Sequence, residues 1–167
     1  MLLTVIVLVA LALLLLSRTQ FEIRSEITIN APLEHVWAAV TDFKNYHDWN
    51  SQLSYLGGTA APHGKLHLRL AAEGASPYEF KPDISHWEPN QRFAWIARTG
   101  FARVFDGEHY FEMQVLGPNQ TLLINREEYR GILSLIFQQL PMMKTAPAGF
   151  QKMNKELKAY LEQESMG

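Results

Sequence analysis

The sequence predicts an α+β domain in which a curved antiparallel sheet of six or seven strands packs against one long C-terminal helix. Three observations predict it. Residues 65–129 alternate apolar and polar with period two between short turns, as half-buried antiparallel strands do. Residues 146–162 carry an apolar stripe at helical spacing. A length of 167 residues fits one domain and leaves little room for a second of normal size.

The chain opens on Met1–Leu16, with eight leucines, three valines, one isoleucine and no charge. As a helix this run rises about 24 Å, a little short of a ~30 Å hydrocarbon core. Ser17 and a snorkelling Arg18 extend its reach. No basic stretch precedes it and no small-x-small cleavage site follows. Residues 1–17 therefore read as a retained transmembrane or signal-anchor helix, with a processed signal peptide as the alternative. Arg18 and Arg24 lie just beyond the run and place the following domain on the cytoplasmic side by the positive-inside rule.

The domain proper, residues 21–162, begins with a strand in which Phe21, Ile23, Ile27 and Ile29 alternate with Glu22, Arg24, Glu26 and Thr28. Asn30-Ala31-Pro32 starts a helix carrying Leu33, Val36, Trp37 and Val40 on one face, and a second short helix takes in Tyr46 and Trp49. Strands follow near 52–56, 65–70, 78–87, 92–98, 104–116 and 121–129. Glu88-Pro89-Asn90 and Gly117-Pro118-Asn119 serve as turns. Thr145-Ala146-Pro147 then opens the final helix, Ala146–Glu162, with Phe150, Met153, Leu157 and Leu161 on one face. A strongly curved sheet does not close fully on such a helix, and the gap is the natural pocket.

Composition excludes several classes. The chain has no Cys, so disulfides, thiolate metal sites, iron–sulfur clusters and a Cys nucleophile are absent. A net charge of −2 argues against a nucleic-acid module. His63-x-x-x-His67 has metal-like spacing but no third ligand near it, and the sequence lacks metalloprotease, nucleophile-elbow and phosphate-loop motifs, so no metal or cofactor is expected. Lys152, Lys155 and Lys158 form either a solvated helix face or a contact for anionic lipid. The tryptophans read as core and rim.

Four segments in order resemble the SRPBCC superfamily, the START-like helix-grip fold. They are Glu26 to Asn50 with Ala31-Pro32, Trp37, Asp42-Phe43, Tyr46 and Trp49; Phe105 to Phe111 with Gly107 and His109; Glu127-x-Tyr129-x-Gly131-x-Leu133; and Gly149-Phe150-x-x-Met153-Asn154-x-x-Leu157. The last three are similar to a bacterial, polyketide cyclase/dehydrase-like subgroup. The resemblance implies a helix-grip fold that binds a small hydrophobic ligand, here beside a bacterial inner membrane. It leaves open a cyclase or aromatase-type enzyme and a protein-interaction module with a filled pocket.

The strand around 105–115 places Phe105, Gly107, His109, Phe111 and Met113 on one face; the family pattern puts Asn125, Glu127 and Tyr129 inward on the next. A buried imidazole and a buried carboxylate each need a partner, so His109 and Glu127 are expected to meet across the ladder. They are then either a ligand-orienting or acid–base pair, or a hydrogen-bonded pair that fixes register. Phe93, Trp95, Phe111, Met113, Tyr129, Phe150, Met153 and Leu157 are the further candidates for the pocket lining.

Overall fold

The computed structural model describes residues 2–73 and 76–164, so Met1 of the apolar run lies outside the described residues. Helix α1 (Leu2–Leu16) comes first, and its described side chains are exposed. Its 15 residues rise about 22 Å. Among the described residues no helix is long and apolar enough to cross a membrane. Ser17 and Thr19 hydroxyls close the helix end on the Leu14 and Leu16 carbonyls, both at 2.7 Å.

The strands are β1 (Gln20–Ile29), β2 (Leu53–Gly58), β3 (Leu66–Leu70), β4 (Tyr78–Phe80), β5 (Asp83–Glu88), β6 (Arg92–Thr99), β7 (Phe105–Gly117) and β8 (Gln120–Arg130). Between β1 and β2 lie helix α2 (Leu33–Thr41) and a 3₁₀ helix, Phe43–Asp48; after β8 come the short α3 (Ser134–Phe137) and the long α4 (Pro141–Glu164). All pairings are antiparallel, as the short turns require.

Three expectations need correction. Among the described residues the six or seven strands of one sheet are instead eight strands in two sheets, β1-β8-β7-β6-β5 and β2-β3-β4. The segment 78–87, expected as one strand, breaks at Lys81-Pro82 because proline has no N–H to give a ladder. Pro82 instead accepts from the Leu66 N–H at 2.9 Å, and Ile84 N–H donates to the Gly64 carbonyl at 2.8 Å, so the two sheets meet along a short seam. The final helix starts at Pro141 rather than Ala146. Proline suits a first helical position, and Pro141 takes it; Pro147 is carried inside the helix.

The main core lies between the five-stranded sheet, α2, the 3₁₀ helix and α4. Val36, Val40, Phe43, Phe93, Phe111, Leu123 and Leu157 are almost fully buried there, and Leu66 and Leu68 bring in the smaller sheet. Tyr46 gives its hydroxyl to the Val40 carbonyl at 2.6 Å within the same core, and burial pushes its pKa well above the usual phenol value. A second apolar cluster, Ile23, Phe105, Tyr129 and Phe150, is covered by Phe21, Leu133, Phe137, Met143 and Ala146. Gly131 turns the chain from β8 into α3 at φ +127°, where a Cβ would lie 2.6–2.7 Å from the Val104 and Arg103 carbonyl oxygens, so glycine alone fits.

The outer face of the large sheet is held by charge. The Arg126 guanidinium pairs with Glu112 at 2.8 Å, Glu22 at 3.4 Å and Glu128, and lies 3.9 Å over the Tyr110 ring.

Candidate functional site

β7 and β8 pair in register, with His109 opposite Glu127 and Phe111 opposite Asn125. Period two then turns His109, Asn125, Glu127 and Tyr129 toward the same side of the sheet. His109 is 5% exposed and its ring stacks on Trp95 with centroids 4.5 Å apart and planes within 3°. Phe111 and Phe150 flank it at 5.0 and 5.1 Å.

The His109 Nδ1 lies 3.6 Å from Glu127 Oε2, an ion-pair separation longer than a hydrogen bond. The Nε2 on the far side of the ring is buried and has no hydrogen-bond partner among the described residues. Glu127 keeps 20% of its side chain exposed. Tyr129 donates its hydroxyl to Glu127; burial first and that carboxylate second push the phenol well above its usual pKa. From the smaller sheet, Tyr78 also feels the Glu127 charge, and burial and that charge both raise its pKa. Gly107 makes room for this arrangement, since a Cβ there would sit 2.8 Å from Glu127 Oε1 and 3.3 Å from Tyr129 Cε1.

The expected lining residues fall into two groups. Trp95, His109, Glu127, Tyr129 and Phe150 come together around the imidazole. Phe93, Phe111, Met113, Met153 and Leu157 are interlocked in the main core, which shares Trp95 with the first group and reaches His109 through Phe111; there Phe93 stacks on Phe111 at 6.5 Å and meets Phe43 edge-on at 5.5 Å. Two surface clefts lie elsewhere. One of about 310 Å³ is bounded by α2, Asn45, Trp49 and Tyr160; one of about 380 Å³ runs between β1 and α4 past Arg24, Glu26 and Lys155.

Sequence reasoning missed Tyr78 and a buried amide chain. Asn125 Nδ2 donates to Asn154 Oδ1 at 3.0 Å, and Asn154 Nδ2 donates to Ser25 Oγ at 3.2 Å, tying β8, α4 and β1 together. The signal was present at Asn125, an amide between Leu123 and Glu127 on the inward face, which needs partners once buried. Other candidates resolve simply. His67 Nε2 pairs with Glu79 at 2.8 Å, Lys152 with Glu156 at 3.7 Å, and Lys158 with Glu162 at 3.0 Å. Among the described residues no cluster of three or more His, Asp or Glu is placed to hold a metal.

What the arrangement offers is an apolar, aromatic setting with one buried nitrogen unengaged, a carboxylate behind it, one phenol bonded to that carboxylate and a second close enough to feel its charge. A neutral imidazole with Nδ1–H toward Glu127 presents Nε2 as an acceptor; a protonated one presents it as a donor.

Residues 20–162 match the family model described as polyketide cyclase / dehydrase and lipid transport. No curated protein matches the chain. The fold is similar to norcoclaurine synthase from Thalictrum flavum, solved in complex with dopamine and hydroxybenzaldehyde (TM-score 0.65, 14% identity, 88% of this chain and 89% of that one). It is similar to a START superfamily protein from Mycobacterium smegmatis (TM-score 0.64, 22% identity, 85% and 97%). It is also similar to the di-domain ARO/CYC protein StfQ of the steffimycin biosynthetic pathway (TM-score 0.66, 7% identity, 89% of this chain and 53% of that one).

Proposed function

Because the chain belongs to the polyketide cyclase / dehydrase and lipid transport family, we propose that it binds a small hydrophobic ligand carrying one polar group, beside a membrane that holds α1. The ligand's hydroxyl or carbonyl engages His109 Nε2, and its apolar body lies against Trp95, Tyr129 and Phe150. The observation that carries this reading is the buried, unpartnered Nε2 in an aromatic setting. Burying a polar atom without a partner is costly, and a ligand atom is what relieves it. Helix α1 supports the membrane half: an uncharged, exposed helix of this composition favours lipid over water. Its length calls for a snorkelling Arg18, with the domain on the cytoplasmic face of a bacterial inner membrane.

The test is competition at the site. A fluorescent fatty-acid or isoprenoid probe should bind saturably, and a long-chain alcohol should displace it better than the alkane of equal length. Absence of saturable binding for every apolar probe refutes the proposal.

A second reading rests on Glu127 and the two phenols. In a cyclase-type reaction His109 Nε2 takes a proton from carbon next to a ketone, Glu127 stabilises the imidazolium across Nδ1, and a phenol donates to the enolate oxygen. Deuterium exchange into a short polyketone analogue, lost on Glu127→Gln, distinguishes catalysis from binding.

A further inference from the structure

The end of the domain nearest α1 is built from three pieces of chain. Thr19 Oγ1, three residues beyond α1, lies 2.6 Å from Ser134 Oγ, and the Gly131 N–H donates to the Thr19 carbonyl at 3.1 Å. The Ile132 and Leu133 N–H groups each donate at 3.0 Å to the Arg103 and Val104 carbonyls. So α3 and the 100–104 loop are fastened beside the base of α1.

This end is apolar where it faces outward. Ile136 is 62% exposed and Phe101 86%, with Leu135 and Met142 exposed beside them. Its charge is one-sided as well. Segments 1–21, 99–105 and 131–149 contain Arg18, Arg103 and Lys144 and no acidic residue, in a chain with 17 Asp and Glu against 15 Lys and Arg. Elsewhere among the described residues Val115 and Leu116 are exposed at the far end of the β7–β8 ladder, and Leu56 and Tyr78 singly on the smaller sheet.

We propose that this end is a second membrane-contact surface, in which the α3 tip and Phe101 seat in an anionic bilayer beside α1. The proposal rests on the reading of α1 as a membrane anchor, and it adds how the domain is oriented. Continuity with α1 favours lipid as the occupant: the fastening at Thr19 brings the patch to wherever α1 enters, and the basic rim suits anionic headgroups. The inward side of α3 then faces the ligand site. Phe137 stacks on Phe105 at 4.0 Å, and Phe105 on Tyr129 at 5.5 Å, so an aromatic path runs from the patch to Glu127.

The chain has no cysteine, so single labels are unambiguous. Full chains carrying Leu8→Cys, Ile136→Cys or Asn119→Cys are labelled with an environment-sensitive fluorophore. Each is mixed with phosphatidylcholine/phosphatidylglycerol vesicles bearing an acyl-chain quencher. Labels at 8 and 136 should lose most of their emission. The label at 119, about 33 Å along the 11-residue strand β8, should keep it. Adding Leu135→Glu and Phe101→Glu should restore emission at 136 and leave position 8 quenched. Quenching at 8 without quenching at 136 overturns the proposal and spares the anchor. No quenching at 8 removes the anchor reading and the proposal with it. A label at 136 that responds to protein concentration and ignores lipid also overturns the proposal, and assigns the patch to a second copy of the chain.

Discussion

Replacing His109 by Phe separates a ligand site from a structural pair. The aromatic ring keeps its stack on Trp95, and both nitrogens disappear. Removing the unpartnered buried Nε2 is worth about 1–3 kcal/mol to the folded state. Against that stand the Glu127 contact at 3.6 Å, to a carboxylate that retains some exposure and a bond from Tyr129, worth about 0–1 kcal/mol. One extra ring atom in a packed site costs a further ~1 kcal/mol. The terms nearly cancel, so urea unfolding should show a midpoint displaced by no more than about 1 kcal/mol, with unchanged slope. Binding behaves differently. A ligand hydroxyl left unpaired among Trp95 and Phe150 loses about 1–3 kcal/mol, a probe weaker by about five- to 150-fold. A variant destabilised by more than about 2 kcal/mol with unchanged probe affinity would refute the reasoning and make His109 a pin for strand register.

Gly107→Ala should weaken probe binding at least about tenfold with a modest loss of stability, because the new Cβ displaces the Glu127 carboxylate 2.8 Å away into the site; paired titration and urea curves check it. Arg126→Met should cost about 2–4 kcal/mol in urea unfolding, since it strands Glu112 beside Tyr110 without its cation and leaves Glu128 to Arg130 alone. Tyr110 is pushed up to about 12 by burial and by its bond to Glu108. A phenol raised in the folded state contributes stability that is intact below the unfolded value near 10 and is lost as pH rises through about 12. Tyr110→Phe should therefore lose stability less steeply than wild type between those pH values, as followed by denaturation at fixed urea.

The strands and the facing of β7 were legible because period two is a strong signal in a long strand: over the 13 residues of β7 it sets His109 among Phe105, Phe111 and Met113, whereas the 11 residues of β8 alternate poorly and it was the family resemblance that turned Glu127 inward. Tyr78 was not legible, since three-residue β4 carries no usable period and reaches Glu127 from another sheet. The Asn125–Asn154–Ser25 chain joins residues 25, 125 and 154, and no local pattern predicts a contact at that separation. The early start of α4 was hidden by Pro147, which reads as a helix beginning whether or not a turn precedes it. Which neighbours each apolar residue meets depends on side-chain packing, to which strand period and helix stripe are blind: Phe93 and Trp95 share a strand face and one core, yet it is Trp95 that stacks on His109.

Helix α4 is unequal along its length. Pro147 gives the Met143 carbonyl no N–H, and Gly149 follows two residues later, so the segment 141–149 forgoes about 3 and 1 kcal/mol of helix propensity at those two positions. The remainder is nailed down by Met153, Asn154, Leu157 and Leu161, each nearly sealed from water. Local unfolding should therefore start at the weak end and stop near Phe150. Amide protons of 142–149 should exchange on a shorter timescale than those of 153–161. Fraying that far withdraws Met143 and Ala146 from the cluster over Tyr129 while the amide chain through Asn154 stays intact. The molecule can thus uncover its interior at a fraction of its global stability, with the sheet unbroken.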